Sequence, residues 1–347
     1  MRHPTLHDIA RRCEVSTATV SAVVNGAAWV SDTTRARVQG AVTDMGYHPN
    51  QYARGLKRRQ GRSIGVIVSD LTNPFFTQVV RSLSHALHLA GRPLTLCDSD
   101  HQHALGEANL RMLVEGQIAG LVVIGDSVPE ETLGEFVRQR AGVPVIAIER
   151  DYALDGVSCL LVDSEQGAFS ATRHLMDQGY ERIAMITGPG TGAGSSTYGR
   201  AQRFDGYHRA LGRDGVEADS SLVVEGNFRY EGGVAAMRTL LLLHPRPDAV
   251  FAANDMMALG AMAAIREAGL TVGRDIALVG FDNVPMSALI EPPLTTMAMP
   301  MSELGDAAAQ LLEVQLGRGG RHDAVRQTFS ADLVIRHSSL RPIGSIA

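Results

Sequence analysis

The chain has few of the residues on which several classes of protein depend. Its 347 residues include three cysteines, one tryptophan and a single lysine, Lys57, and aromatic residues make up 5% of the total. Cys13, Cys97 and Cys159 are too far apart for a CxxC motif or a disulfide framework, which indicates buried thiols in a reducing compartment. The sequence has no apolar run of about 18 residues. It also has no apolar segment behind its charged start, so neither a membrane span nor a signal peptide is predicted.

Charge is distributed unevenly along the chain. Residues 1–62 contain ten lysine and arginine residues but four acidic ones, a balance of +6, and the remainder carries −11 within a total of −5. A basic head on an acidic body suggests that the head contacts phosphates, although a solvated basic surface would give the same balance. The length suits two or three domains rather than one compact core. A content of 45% hydrophobic and 20% charged residues is typical of a globular protein.

The beginning of the chain predicts three short helices. The first is expected over Asp8–Glu14. Ser16 follows as a good N-cap, because its hydroxyl can accept an orphan backbone N–H of the next helix. That helix is expected over about Thr17–Asn25, with Ser31 capping a third over Thr33–Met45. Two short helices around a tight turn are the arrangement that places a helix in a DNA groove.

Five short motifs follow one another through this segment. They are T-L-x-D-I-A at 5–10, V-S-x-x-T-V-S at 15–21, V-N-G at 24–26, V-S-x-x-T-R-x-x-V at 30–38 and G-Y-x-P-N at 46–50. Together they resemble the helix-turn-helix headpiece of the lactose-repressor (LacI/GalR) family of bacterial transcription regulators. The resemblance implies that the helix from Thr17 is the recognition helix and lies in the major groove.

The resemblance also places a set of head residues at DNA-contacting positions. They are Thr5, Ser16, Thr17, Ala18, Thr19, Ser21, Ala22, Asn25, Ser31, Thr34, Tyr47 and Asn50. Thr17, Ala18 and Ala22 would face base edges, whereas the hydroxyls of Thr19 and Thr34 are equally suited to capping. Many relatives carry Arg at the position of Ala22, where a guanidinium can bridge guanine O6 and N7. Alanine cannot, so we expect operator preference to depend more on DNA shape and on the hinge.

The segment Asn50–Lys57, NQYARGLK, resembles the hinge helix of the family. In relatives, two such helices pack across a dimer and enter the minor groove, where a leucine opens the central base step. The matching residue is Leu56, with Ala53 beside it, and an exposed linker residue is the alternative for Leu56. Gly55 departs from the pattern, since glycine costs about 1 kcal/mol in a helix relative to alanine. So short a helix is expected to fold only on DNA.

From Ser63 the pattern changes to apolar segments that alternate with helical stretches. The strand candidates are Ile64–Asp70, Leu94–Asp98, Gly120–Asp126, Val143–Glu149, Cys159–Asp163, Arg182–Gly188, Ala249–Asp255 and Ile276–Asp282. Strands that are apolar along their length and alternate with helices predict parallel sheets covered on both faces. The fold class is therefore α/β behind an all-α head.

Six motifs in the body resemble the effector domain of the same family, which is similar to periplasmic sugar-binding proteins. They are T-N-P-F-F at 72–76, H-L-x-x-x-G-Y-x-R-I-A at 174–184, R-x-x-G-Y at 203–207, A-N-D-x-M-A-L-G at 253–260, V-G-F-D at 279–282 and P-P-L-T-T at 292–296. The resemblance implies two lobes around a ligand cleft. We predict a headpiece over residues 1–48, a hinge over 49–62 and a body over 63–340. The first lobe is expected over about 63–162 with 292–325, and the second over about 163–291 with 326–340.

Ligands of open α/β sheets sit at the carboxyl ends of the strands. The resemblance places eight residues there on the ligand, with Asp100 as a further candidate: Asn73, Phe75, Phe76, Glu149, Arg203, Phe228, Asn254 and Asp282. Phe228 matches the aromatic that stacks on a sugar ring. Asp282 can accept hydrogen bonds from vicinal hydroxyls, and Arg203 can donate to ring or carboxylate oxygens. Asp163 and Asp255 are expected to be helix N-caps instead.

These features predict a cytoplasmic, nucleoid-associated bacterial transcription regulator, a repressor. It would bind operator DNA as a homodimer under control of a sugar-like effector, with no cofactor, metal or membrane. A tetramer is not expected, because no leucine heptad follows Leu340. A solute-binding protein of a transporter would fit the body but not the head.

An enzyme is not expected, because the chain has no Ser/His/Asp set, nucleotide fingerprint or metal-ligand spacing. His101 and His103 lack a third ligand and are interpreted as solvated loop residues. The glycine-rich segment Gly188–Thr197 lacks the G-K-[ST] ending of a phosphate loop and is interpreted as a loop at the cleft.

Overall fold

The computed structural model describes residues 4–24, 26–27, 29–47, 63–190, 198–213, 215, 219–318 and 323–341. The chain divides into two compact units, residues 1–61 and 62–347. None of the helices in the described ranges has the length and apolar character of a membrane span. The predicted hinge, with Asn50, Ala53 and Leu56, lies outside the described residues, as does Asn25.

The described residues of the first unit form three helices around a small apolar core. They are α1 (Leu6–Arg12), α2 (Thr17–Val24) and α3 (Asp32–Asp44). One side chain from each helix, Ile9, Val20 and Val38, is fully buried. The three predicted helices are therefore confirmed, although α1 begins two residues earlier than expected.

Side-chain caps explain where these helices begin. Thr5 and Asp8 form a capping box, in which the Thr5 hydroxyl accepts from the Asp8 N–H and the Asp8 carboxylate accepts from the Thr5 N–H at 2.9 Å. The predicted start at Asp8 was wrong because Asp8 is the third residue of the helix, which begins after the Thr5 cap. Ser16 Oγ accepts from the Thr19 N–H at 3.0 Å, and Ser31 caps α3, as predicted.

In the second unit, the described residues form two six-stranded sheets with helices on both faces. Its strands are β1 (Ile64–Val68), β2 (Leu94–Asp98), β3 (Gly120–Ile124), β4 (Val145–Ile148), β5 (Val157–Val162), β6 (Ile183–Thr187), β7 (Val223–Glu225), β8 (Ala249–Ala252), β9 (Ala277–Asp282), β10 (Thr295–Ala298), β11 (Arg326–Phe329) and β12 (Asp332–Val334). Its α-helices are α4 (Pro74–Leu89), α5 (His103–Glu115), α6 (Glu130–Gln139), α7 (Ser164–Asp177), α8 (Tyr198–Arg213), α9 (Tyr230–Leu241), α10 (Asp255–Glu267) and α11 (Met301–Gly317).

The strand order defines two lobes. The first sheet has the order β11-β5-β4-β3-β1-β2, and the second has the order β12-β10-β9-β8-β6-β7. All pairs are parallel except β10 with β12, which confirms the predicted fold class. All eight predicted strands are present. The four strands that sequence patterns missed, β7 and β10 to β12, have only three or four residues each.

The chain crosses between the lobes after β5, after β10 and after β11. β10 pairs with β9 of the second sheet, whereas β11 pairs with β5 of the first. The predicted lobe assignments of 292–325 and 326–340 are therefore wrong at these two strands. An apolar pattern predicts a strand but does not specify which sheet edge it extends. α11 packs on α4, so the first lobe comprises about 64–162 and 301–329, and the second comprises about 164–298 and 332–341.

Alanine substitutions at two glycines of α8 test how closely α8 packs on α7. A Cβ at Gly206 would lie 2.2 Å from the Glu165 carbonyl oxygen, whereas a Cβ at Gly212 would have no described atom within 4 Å. We expect Gly206→Ala to lower the free energy of unfolding by about 1–3 kcal/mol through overpacking. Gly212→Ala should raise it by up to about 1 kcal/mol, because alanine is the better helix former. Urea unfolding measures both, and equal effects would contradict this packing.

Candidate ligand site and DNA-binding surface

A cavity of about 360 Å³ lies between the two lobes. It is lined by loops that follow the carboxyl ends of parallel strands, together with α4 and α8. The first lobe contributes Ser69, Asn73, Phe75, Phe76, Asp100, His101, Gly125, Asp126 and Glu149, and the second contributes Pro189, Gly199, Arg203, Asn227, Phe228, Arg229, Asn254 and Asp282. The structure therefore brings together all eight residues that the sequence suggested for a ligand.

Several lining residues were missed by sequence reasoning. His101 is an exposed turn residue, as interpreted, but it also lines the cavity, which sequence reasoning did not predict. It lies three residues beyond the end of β2, and that position was the available signal. His103 is half exposed and its Nε2 lies 3.3 Å from Asp126 Oδ1. Asn227 and Arg229 follow β7, a strand too short to be predicted. The described residues contain no cluster of three or more potential metal ligands.

Arg203 is buried where the two lobes meet. From α8, its guanidinium lies 4.2 Å above the Phe281 ring and donates to the Ala253 carbonyl at 2.8 Å. Its Nη2 is 3.6 Å from Oε2 of Glu149 in the other lobe. Burial raises the pKa of Glu149 to about 6, although the Arg203 charge and a backbone N–H from Val162 act in the opposite direction. The pair therefore connects the lobes through largely desolvated charges.

Asp282 ends β9 with its side chain buried in the cavity wall. Burial raises its pKa well above the usual value, and the charges of Asp255 and Glu149 add to the rise, while Arg203 opposes it. Its Oδ2 has no hydrogen-bond partner among the described residues, and neither does Nε of Arg203. Buried polar atoms are normally paired. The arrangement thus offers an acceptor and a donor to a polar molecule in the cleft.

Asn254, and not Asp255, caps the helix that follows β8. Asn254 is the N-cap of α10, where its Oδ1 accepts from the Met257 N–H at 2.9 Å. Asp255 is fully buried and accepts from the Thr296 hydroxyl at 2.6 Å, so its prediction as a cap was wrong. Its position, one residue into the helix, turns the carboxylate towards β10 rather than towards the helix end. Asp163 caps α7 as predicted.

Aromatic rings form two walls of the cavity. Phe75 and Phe76 pack edge to face with ring centroids 5.1 Å apart. On the other side, the Phe228 ring lies against Gly188, where a Cβ would fall 2.0 Å from the ring. The ring of His101 stacks on Phe228 at 6.4 Å between centroids and 26° between planes. These faces can cover the apolar surface of a ring-shaped ligand.

Backbone strain is concentrated around the cavity. Five of the eight described non-glycine residues with positive φ line it: Asp100, His101, Glu149, Phe228 and Asp282. The φ angle of Asp282 is 120°, which L-residues rarely adopt. Such conformations cost about 1–3 kcal/mol each and persist where the surrounding structure imposes them, often at functional sites.

The surface of the first unit supplies the candidate DNA contacts. On α2, Ala18 is exposed, whereas Ala22 is partly buried and packs on the head core, as does Tyr47. The hydroxyl oxygens of Ser16 and Thr19 lie 2.9 Å apart. Ser31 and Thr34 repeat this arrangement at the start of α3. These hydroxyls therefore have structural roles, whether or not they also contact DNA.

Comparison with known proteins agrees with this architecture. Residues 5–50 match the family described as bacterial regulatory proteins, lacI family, and residues 172–339 match the periplasmic binding protein-like domain. The chain is 36% identical to the ribose operon repressor of Escherichia coli strain K12, over 89% of this chain and 92% of that one. It is 32% identical to the HTH-type transcriptional repressor CytR of the same strain, over 96% of each.

Solved structures extend the likeness to the whole chain. The lac repressor dimer bound to operator and the anti-inducer ONPF has 29% identity and a TM-score of 0.82, covering 98% of this chain and all of that one. The complex of the transcriptional regulator CelR with cellobiose has 32% identity and a TM-score of 0.71, covering 96% and 99%.

A helix-turn-helix head joined to a two-lobed α/β body defines a DNA-binding transcription regulator with an effector domain. The chain belongs to the lacI family of bacterial regulatory proteins. The curated relatives named above are transcriptional repressors rather than enzymes.

The raised pKa of Glu149 has a testable effect on stability. Because the folded protein binds this proton more tightly than the unfolded chain, the stabilisation is present below the usual value of 4.5 and is lost as pH rises through about 6. This shift corresponds to about 2 kcal/mol. We expect the unfolding free energy of Glu149→Gln, relative to wild type, to rise by about that amount between pH 4.5 and pH 7. Urea unfolding at both pH values measures it, and a pH-independent difference would exclude titration of Glu149 in this range.

Proposed function

We propose that the protein is a repressor that binds operator DNA as a homodimer and responds to an uncharged, sugar-like effector in the interlobe cavity. One observation carries the proposal. The Asp282 oxygen without a described hydrogen-bond partner and the buried Arg203 guanidinium line the same cavity as the aromatic rings. Polyols present vicinal hydroxyls and apolar C–H faces, which fit these two kinds of surface. Binding to the chromosome places its action in the cytoplasm.

Each of the eight candidate residues has a proposed role on such an effector. Asp282 accepts hydrogen bonds from neighbouring hydroxyls, Arg203 donates to a ring oxygen, and Phe228 stacks on the ring. The remaining contacts come from Asn73, Phe75, Phe76, Glu149 and Asn254. Among the lining residues, aspartate and glutamate outnumber arginine by four to two, which disfavours a phosphorylated effector. Two relatives named for sugars, the ribose operon repressor and the cellobiose complex of CelR, support the same class.

For the head, we propose that α2 enters the major groove with Thr17, Ala18 and Ala22 towards the bases. The exposure of Ala18 suits that role, and short side chains there leave more of the specificity to DNA shape. The predicted hinge residues Ala53 and Leu56 would supply the minor-groove part.

Effector binding would act by closing the cleft. Closure moves the lobes relative to each other, and in a dimer this movement changes the spacing of the two heads on DNA. The effector can shift the equilibrium only by the difference between its affinities for the two arrangements.

A thermal-shift screen followed by gel retardation tests this function. The panel contains D-ribose, D-glucose, cellobiose, their phosphates and purine bases. We expect an uncharged sugar to raise the melting temperature by mass action and to change retardation of the operator. The proposal fails if the dimer shows no preference for any duplex over random sequence at moderate salt. A response to phosphates or purines alone would contradict the effector class.

Asp282→Ala separates the effector site from the DNA-binding surface. Loss of its carboxyl oxygens should weaken effector binding by at least about tenfold and abolish the ligand-induced change in retardation. Operator affinity without effector should stay at the wild-type value. Asp332→Ala, at an exposed position on β12, is the matched control and should retain both activities. Unchanged effector affinity in Asp282→Ala would remove Asp282 from the site, while loss of both activities would indicate misfolding.

A further inference from the structure

A second group of charges joins the lobes, apart from the Arg203–Glu149 pair. Arg229 lies in the loop after β7 of the second lobe and reaches two carboxylates of the first. Its Nη2 donates a hydrogen bond to Oδ1 of Asp100, and its Nε lies 3.6 Å from Oδ2 of Asp70. These are direct contacts between side chains of opposite lobes.

Asp70 gives this group a buried anionic centre. Its side chain is 2% exposed, and its Oδ1 accepts from the N–H and hydroxyl of Thr72 at 2.7 and 2.6 Å. Its Oδ2 lies 3.5 Å from Nε2 of His101. Burial alone would raise the pKa of Asp70, but hydrogen bonds from His101 and Thr72 outweigh it and hold the pKa far below the usual range. The carboxylate is therefore charged at neutral pH, and Arg229 is a cation that balances it from across the cleft.

One buried member, Asp70, distinguishes this group from the ordinary ion pairs of the surface, although the side chains of Arg229 and Asp100 are 37% and 48% exposed. Arg238 and Glu267 approach to 2.7 Å within the second lobe, but both are more than half exposed. Exposed pairs of that kind contribute little to stability, because solvent and salt screen them. Breaking a pair that contains a buried charge costs more, because the remaining charge stays desolvated. Loss of Arg229 would leave Asp70 in that situation unless the lobes separate and water enters.

The same contacts position a wall of the cavity. Arg229 follows Phe228 directly, and the carbonyl of Phe228 accepts from Asn254 Nδ2 at 2.8 Å. His101, a partner of Asp70, stacks on the Phe228 ring. The loop that carries Phe228 is thus attached to its own lobe through Asn254 and to the opposite lobe through Arg229.

We propose that Asp70, Asp100, His101 and Arg229 form an interlobe clasp that favours the closed cleft before any effector binds. Apparent effector affinity scales with the fraction of molecules already in the binding-competent form. The clasp therefore raises effector affinity and, by the same bias, reduces the structural change that the effector can produce. It acts on the equilibrium between open and closed lobes, so it is a property of the body and does not depend on which ligand the cleft takes.

Distances between spin labels on the two lips of the cleft test the clasp in the full-length chain without any added sugar. Ala104→Cys and Glu231→Cys place the labels at exposed positions beside the clasp, one on each lobe, and the described native cysteines are buried. We expect Arg229→Ala to raise the ratio of molecules with a long label-to-label distance to those with a short one by about fivefold or more. Asp100→Asn, which keeps the shape and removes the charge, should move it in the same direction by less. Raising NaCl from about 50 mM to about 1 M should lengthen the wild-type distances but not those of Arg229→Ala.

Arg238→Ala is the matched control, since it removes an arginine from an ion pair within one lobe and should leave the distances unchanged. A wild-type distance distribution in Arg229→Ala would overturn the clasp. So would an equal shift in Arg238→Ala, because the effect would then not come from contacts between the lobes. No sugar enters the experiment, so this result is independent of the effector screen.

Discussion

The guanidinium of Arg203 interacts electrostatically with two buried carboxyl groups, Glu149 of the first lobe and Asp282 of the second. Burial raises the pKa of both groups, and the charge of Arg203 opposes that rise. An isolated buried charge costs several kcal/mol, so a cation shared between the lobes stabilises both faces of the cleft at once. The rest of the site is arranged around this constraint. The polar residues that follow the parallel strands lie at one edge of each sheet. At Glu149 and Asp282, a strained backbone conformation with positive φ orients the side chains there.

The same constraint makes the cleft responsive. The three connections between the lobes, near residues 163, 299 and 330, are short, so the lobes can rotate about them as compact bodies. The wall of the cleft is polar and incompletely satisfied: Oδ2 of Asp282 and Nε of Arg203 have no hydrogen-bond partner in the part of the chain that the structure describes. A ligand that supplies those hydrogen bonds stabilises the closed arrangement by the difference between its binding free energies for the closed and the open arrangement.

The sequence was sufficient to predict the fold class and the polar residues at strand ends, because apolar strands and the residues after them are local features. Other cleft residues, such as Arg203 and Phe228, were predicted only through the resemblance to the family. Tertiary structure decides the remainder. β10 and β11 carry no pattern that distinguishes one sheet edge from the other, so their lobes were exchanged. Asp255 follows an apolar strand like a cap, yet its carboxylate bonds to Thr296, which is distant in sequence. His101 and Arg229 are unremarkable in the sequence and become neighbours only when the two lobes meet.

A ligand-controlled repressor requires the cleft and the DNA-binding head to be thermodynamically coupled sites. The most direct test is calorimetric titration of the sugar that gives the largest thermal shift, with and without saturating operator DNA. Linkage requires that operator change sugar affinity by the same factor by which sugar changes operator affinity. We expect a factor of about five or more in both directions. Equal sugar affinity in the presence and absence of operator would contradict it.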